Sequence, residues 1–298
     1  MYLKLVCMQN IFQGTGVALV TPFKDNGDID FISLENLVDF QIANGIDFIL
    51  ALGTTSEAPT LSTEEKRSVV QCIINKTNGK IPIMVGIGGN STSNVIKELS
   101  DWNMSGISGI LSVTPYYNKP GQQGLLEHFT SVADASSVPV ILYNVPSRTG
   151  VNMSAETTID LAKHKNIIGI KEASGNFAQI AHIIDNCPDD FAVLSGDDML
   201  AMATVSIGGH GLISVGAQAL PKVFSAMINH SINNDFISAR KEFYKITNFV
   251  EAIFKEGNPS GIKAALSNIG IINNNLRLPL IKASDELISE IDSIIKNI

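Results

Sequence analysis

Cysteine is scarce in this sequence. There are three in 298 residues, Cys7, Cys72 and Cys187. An odd set with no paired spacing suggests neither a disulfide framework nor a thiolate metal site, and it fits a reducing, cytoplasmic setting. Positive charge is also in short supply, with 21 Lys and Arg against 29 Asp and Glu, a net charge of -8 and no basic run. That balance argues against a nucleic-acid or anionic-membrane surface and leaves small solutes as partners. No apolar run approaches the roughly 20 residues that span a bilayer. The apolar start Met1 to Cys7 is far too short for a signal sequence, and Met8 is an alternative start. Neither a glycine-rich dinucleotide fingerprint after the first strand nor histidines at metal-ligand spacing are found. The adjacent Asp197 and Asp198 therefore read as a helix cap rather than a metal site.

At 45% hydrophobic the chain can bury a large core, as one α/β domain or as two smaller ones. From Gly14 onward short aliphatic runs alternate with segments of helical period. Strands are expected at 16–21, 48–51, 81–86, 109–113, 138–143, 191–195 and 211–215, with the sixth of the eight holding Lys171 within Asn166 to Gly175. A helix from about Ser33 to Asn44-Gly45 carries Leu34, Leu37, Val38 and Ile42 on one face. The next opens on a Ser62/Glu65 capping box and closes at Asn78-Gly79. Eight strands alternating with helices predict a closed parallel (β/α)8 TIM barrel over residues 14–230. Residues 231–298 read as a C-terminal helical extension packed on it, with Phe236, Ala239, Phe243, Ile246, Val250 and Ile253 as its apolar stripe.

The segment Asn166 to Gly175 ends an aliphatic run in one lysine. On a period of two Ile167, Gly169 and Lys171 share a face, so the position below the lysine has no side chain and leaves room. A lysine in apolar surroundings is harder to keep charged and becomes an amine nucleophile for carbonyls. The plainer reading is a strand-end lysine that snorkels into water or pairs with Glu172. Position decides between them, because in such a barrel the C-terminal strand ends and βα loops build the active site. Thr54-Thr55 follow the second strand, Tyr116-Tyr117 the fourth, Tyr143 and Arg148 the fifth, and Lys171 ends the sixth.

These side-chain types suit imine chemistry. A neutral lysine condenses with a 2-oxo acid, and the imine turns the neighbouring methyl into an enamine nucleophile. A tyrosine beside the amine, here Tyr143, supplies the proton transfers. Thr54 and Thr55 offer donors to a carboxylate, and Arg148 can hold a second carboxylate with two parallel hydrogen bonds. The loop Gly86-Ile87-Gly88-Gly89-Asn90 is only a weak match to a phosphate cradle, since the P-loop lysine is absent.

Gly53-Thr54-Thr55-Ser56-Glu57, Tyr143-Asn144-Val145-Pro146 and Lys171, in that order, resemble the pyruvate-dependent class I lyase family that contains dihydrodipicolinate synthase and N-acetylneuraminate lyase. The resemblance runs from Gly16 to the C-terminal helices. Ser147-Arg148-Thr149-Gly150 and Pro115-Tyr116-Tyr117-Asn118 are similar to the synthase branch in particular. The resemblance implies an imine between Lys171 and pyruvate, with no cofactor or metal, and attack of its enamine on L-aspartate 4-semialdehyde. It further implies a proton relay of Tyr143, Thr54 and Tyr117. Thr55 would bind the pyruvate carboxylate, Arg148 that of the semialdehyde, and Gly196 and Ile213 would line the pocket. Tyr117 would reach in from a neighbouring subunit, which implies a homotetramer built as a dimer of dimers. The alternatives are a 2-oxo-3-deoxy sugar-acid aldolase or N-acetylneuraminate lyase, and a non-catalytic 2-oxo-acid sensor.

Three departures from the family pattern stand out. Ser56 takes the place of the usual glycine and Ala58-Pro59 that of a small polar pair. Asn258 to Lys263 keeps only part of an Asn-Pro-x-Pro-x-Lys run. Lys66 and Asn94 stand where lysine-inhibited members carry His and Glu, so feedback inhibition by lysine is expected to be weak or absent.

Overall fold

Local signals start and stop the helices. In the computed structural model, which describes residues 11–298, Ser62 and Glu65 form the expected reciprocal capping box. Asn78 closes that helix in a left-handed conformation. Asp30 caps the preceding helix by accepting from the backbone of Ser33, which sets its start at Phe31, slightly earlier than expected.

The order of elements is β1 (Gly14–Ala18), α1 (Phe31–Ala43), β2 (Phe48–Ala51), α2 (Thr63–Thr77), β3 (Ile83–Gly86), α3 (Thr92–Asp101), β4 (Gly109–Val113), α4 (Gln122–Ala135) and β5 (Val140–Asn144). There follow α5 (Pro146–Thr149), α6 (Ala155–Leu161), β6 (Ile167–Glu172), α7 (Phe177–Asn186), β7 (Ala192–Ser195), α8 (Ala201–Ser206), β8 (Gly211–Ser214) and α9 (Pro221–Ile232). The strands pair in parallel in chain order, and β8 pairs back onto β1, closing the barrel. Compared with the expected segments, β1 and β5 are displaced by about two residues and β3 starts at Ile83.

Two apolar cores result. Alternate strand residues, such as Phe48, Leu50, Met84, Leu111, Ile141 and Leu194, fill the barrel interior. Their neighbours, among them Ile49, Val85, Ile110, Leu142 and Val193, pack outward against the helices. α10 (Phe236–Phe254), α11 (Ser260–Asn268) and α12 (Asp285–Ile295) form the extension. Ile246, Val250 and Ile253 are buried as the stripe requires, and they share one continuous core with the barrel helices.

β6 departs from strict alternation. Val140 of β5 pairs with Ile167 but Ile141 pairs with Gly169, so Ile168 is an extra residue in the ladder. Ile167 consequently joins the outer core with Ile170, and Ile168 packs against the inner one. The expectation that Ile167 shares the face of Gly169 and Lys171 is corrected by this bulge.

Candidate active site

Tyr143 and Lys171 are partners in register on adjacent strands. The Lys171 Nζ lies 4.6 Å from the centroid of the Tyr143 ring. Lys171 is 5% exposed, and among the described residues it has no ion-pair partner. Glu172 does not neutralise it. Its buried carboxylate accepts from the Ser174 backbone N–H (2.6 Å), Asn144 Nδ2 (3.0 Å) and Gln179 Nε2 (3.2 Å). Both plain readings of the lysine, snorkelling and pairing with Glu172, are therefore set aside by the geometry.

Room beside the lysine comes from a different glycine than the sequence suggests. A Cβ on Gly196 would stand 3.0 Å from Lys171 Cε and 2.7 Å from Ala173 Cβ, so the bare backbone there accommodates the amine's stem. A Cβ on Gly169 would meet the Ala192 carbonyl oxygen at 2.6 Å. That glycine lets β6 and β7 approach. Ile213 is fully buried in the inner core that also holds Tyr143 and Leu194.

Next to Tyr143 opens a cavity of about 430 Å³, lined also by Thr54 and Arg148. Thr54 begins a short 3-10 turn, Thr54–Ser56, bracketed by two left-handed residues, Leu52 (φ 55°) and Glu57 (φ 58°). That conformation costs a non-glycine residue about 1–2 kcal/mol, so surrounding contacts must hold it. Gly86 is one of them, since a Cβ there would lie 2.3 Å from the Leu52 carbonyl oxygen. Ser56 in place of glycine is accommodated, because the left-handed position falls on Glu57. The Ser56 hydroxyl donates to the Gly53 carbonyl (2.7 Å), and its own carbonyl accepts from Thr21 Oγ1 (2.8 Å). Thr55 is buried behind Thr54, with its hydroxyl accepting from Asn258 Nδ2 (2.9 Å).

Arg148 sits on the single-turn helix α5, which starts at Pro146 and is closed by Gly150 at φ 71°. Pro146 presets the first turn and Gly150 supplies the left-handed exit, so the arginine is carried at a defined place on the cavity wall. Tyr117 is not gathered with the others in this chain: it is 89% exposed on a left-handed backbone (φ 71°), while its neighbour Tyr116 lines the cavity.

The paired aspartates divide their tasks. Asp197 Oδ1 accepts from the backbone of Met199 and Leu200, ahead of α8. Asp198 is buried, accepts from the Gly216 N–H (2.9 Å), and joins the β7 and β8 loops rather than capping. Burial pushes its carboxyl up to about 6 against the pull of a Ser214 hydroxyl bond. Lys66 lines the cavity as well, and Glu98, one turn after Asn94 on α3, faces the same space. The wall beside Lys66 therefore carries a carboxylate although Asn94 stands where lysine-inhibited members have Glu.

Sequence reasoning missed the contribution of the extension. Lys263 of α11, fully buried, forms an ion pair with Glu57 at 2.5 Å, and Asn258 reaches Thr55. Burial pulls the Lys263 ammonium down to about 8, and the Glu57 carboxylate opposes that. The partial Asn-Pro-x-x-x-Lys run was the available signal, and both of its polar ends make these contacts.

Architecture and site together define a parallel (β/α)8 barrel with a buried lysine at the end of β6. Among solved structures, the dihydrodipicolinate synthase of Thermotoga maritima is 38% identical and superposes with a TM-score of 0.94, covering 96% of this chain and 98% of that one. A dihydrodipicolinate synthase of Acinetobacter baumannii, solved in complex with pyruvate, is 41% identical with a TM-score of 0.93, covering 96% and 98%. The chain belongs to the dihydrodipicolinate synthetase family, whose sequence model matches residues 11–298. The 4-hydroxy-tetrahydrodipicolinate synthase of Azobacteroides pseudotrichonymphae is 50% identical over 274 residues, 92% of this chain and 93% of that protein.

Proposed function

We propose that this chain is a Schiff-base-forming lyase that condenses pyruvate with L-aspartate 4-semialdehyde, the 4-hydroxy-tetrahydrodipicolinate synthase reaction on the diaminopimelate route to lysine. The observation that carries the reading is the buried Lys171 against Tyr143, which together with Arg148 lines the cavity. The relatives named above bear the same activity in their names.

The Lys171 amine attacks the pyruvate ketone and one water leaves as the imine forms. Loss of a methyl proton gives the enamine, whose carbon bonds to the semialdehyde carbonyl. The semialdehyde's own amine then displaces lysine at the imine carbon and closes the six-membered ring, freeing Lys171. Tyr143 and Thr54 of this chain, with Tyr117 of a neighbouring subunit, move the protons. Thr55 assists the pyruvate carboxylate and Arg148 clamps that of the semialdehyde; Gly196 and Ile213 shape the pocket. The exposed side chain and left-handed backbone of Tyr117 support delivery to another subunit, and hence a homotetramer built as a dimer of dimers. The chemistry requires neither metal nor organic cofactor. Among the described residues no helix is long and apolar enough to cross a membrane; we assign the protein to the cytoplasm on its composition.

Pyruvate consumption with L-aspartate 4-semialdehyde, set beside the same assay with N-acetylmannosamine, tests the reading. Turnover with the semialdehyde alone is expected. Turnover with the sugar alone replaces the synthase by the sugar-acid aldolase, and borohydride trapping of pyruvate without turnover of either replaces it by a sensor.

A further inference from the structure

The Thr54–Ser56 turn is tied to the molecule at more than its strand. At its end Glu57 holds a left-handed backbone and sends a fully buried carboxylate towards the extension. One oxygen pairs with Lys263 Nζ, and the other accepts from the Arg277 backbone N–H (3.0 Å). Lys263 also donates to the Asn275 carbonyl (2.8 Å) and lies 4.2 Å from the centroid of the Phe23 ring. The second tie is Asn258 Nδ2 to Thr55 Oγ1. Because that hydroxyl accepts from Asn258, its own proton is left to point elsewhere.

A buried ion pair is seldom more stabilising than an apolar pair of equal volume. What it adds is a directional link between two fixed points. Here those points are the residue that terminates the threonine turn and a helix over 200 positions further along the chain.

We propose that the C-terminal extension is part of the catalytic apparatus: Lys263, through Glu57, and Asn258, through Thr55, are positioning residues that hold the threonine turn in the geometry that receives the carboxylate of the 2-oxo acid. This rests on the imine chemistry proposed above, and its mark is a defect on the pyruvate side of the reaction that does not follow stability.

Melting, borohydride trapping and steady-state kinetics on the unvaried chain, Lys263→Met, the double variant Glu57→Gln/Lys263→Met, and Asn258→Ala provide the test. Lys263→Met leaves a carboxylate buried and unpaired, and its melting temperature falls. The double variant leaves no charge stranded and recovers most of that loss. It nevertheless traps pyruvate at least tenfold more slowly and shows a raised KM for pyruvate, with the KM for the semialdehyde changed less than twofold. Recovery of pyruvate trapping together with stability overturns the proposal. If the double variant also fails to fold, Asn258→Ala decides, since it strands no charge: a tenfold pyruvate-side loss at unchanged melting supports the positioning role, and a loss under twofold overturns it. An unvaried chain that traps no pyruvate defeats the imine chemistry and this inference with it. Normal trapping by the unvaried chain and by folded variants alike defeats only the positioning role.

Discussion

The site has two halves built on different principles. Lys171 and Tyr143 stand on adjacent strands in the middle of a closed barrel, where the ladder fixes them in register and the inner core packs around them. Thr54, Thr55, Arg148 and Tyr117 stand on short turns. Those turns depend on left-handed residues, a single-turn helix and contacts with segments far away in sequence. The strand-borne half is rigid because the fold is, and the turn-borne half because particular side chains hold it. On the mechanism proposed above, imine formation belongs to the first half. The same proposal gives choice of the second substrate to the second, where loop chemistry can vary without disturbing the barrel.

The sharpest separation of the halves comes from Lys171→Ala. It is expected to abolish borohydride trapping of pyruvate and to lower kcat on the order of 10⁴-fold or more, as loss of a covalent nucleophile does. Trapping that persists at another lysine would remove Lys171 from the chemistry. Arg148→Ala is expected to cost about 10²-fold in kcat/KM for the semialdehyde while slowing imine formation less than about threefold. Equal damage to both steps would merge the halves and end the carboxylate-clamp role.

Asp198 refines the contrast by probing stability alone. Its carboxyl is raised by burial from 3.8 to about 6, so between these values the folded state binds more protons than the unfolded. The stability attached to this group is therefore greatest below pH 3.8 and is lost as pH rises through 6. Asp198→Asn, uncharged throughout, is expected to be more stable than the unvaried chain at pH 8, by on the order of 2 kcal/mol, with the gap closing towards pH 4. Melting curves across that range check it, and a gap that does not depend on pH would mean the carboxylate is stabilised in its charged form. The smallest effect is expected from lysine as an effector. Lys66 and Glu98 put one charge of each sign on the outer cavity wall, so a cationic ligand gains little there. Initial rates in millimolar L-lysine should change by less than about twofold, and strong inhibition would contradict this.

Legibility in the sequence follows the same division. Val140 to Tyr143, Ile167 to Lys171 and the capping box of α2 are written in local period and local hydrogen bonds, and the barrel, its closure order and the lysine could be read from them. The bulge at Ile168 could not, because an aliphatic residue suits either face and only the pairing with β5 reveals the extra one. Contacts such as Asn258 to Thr55 and Lys263 to Glu57 join positions about 200 residues apart, where no periodicity carries information. Glu98 lies one turn beyond Asn94 on α3, at a position that the family pattern does not mark.

The extra residue in β6 works as a half-step. Ile167 faces the helices, Ile168 and Gly169 both fall to the inside, and the alternation resumes with Ile170 out and Lys171 in. Delete one residue from that pair and plain alternation returns, with Ile167 and Ile170 still towards the helices and Lys171 still inside opposite Tyr143. The extra residue therefore decides what the start of the strand presents to the helices, and the pairing with β5 beyond it decides where the amine emerges.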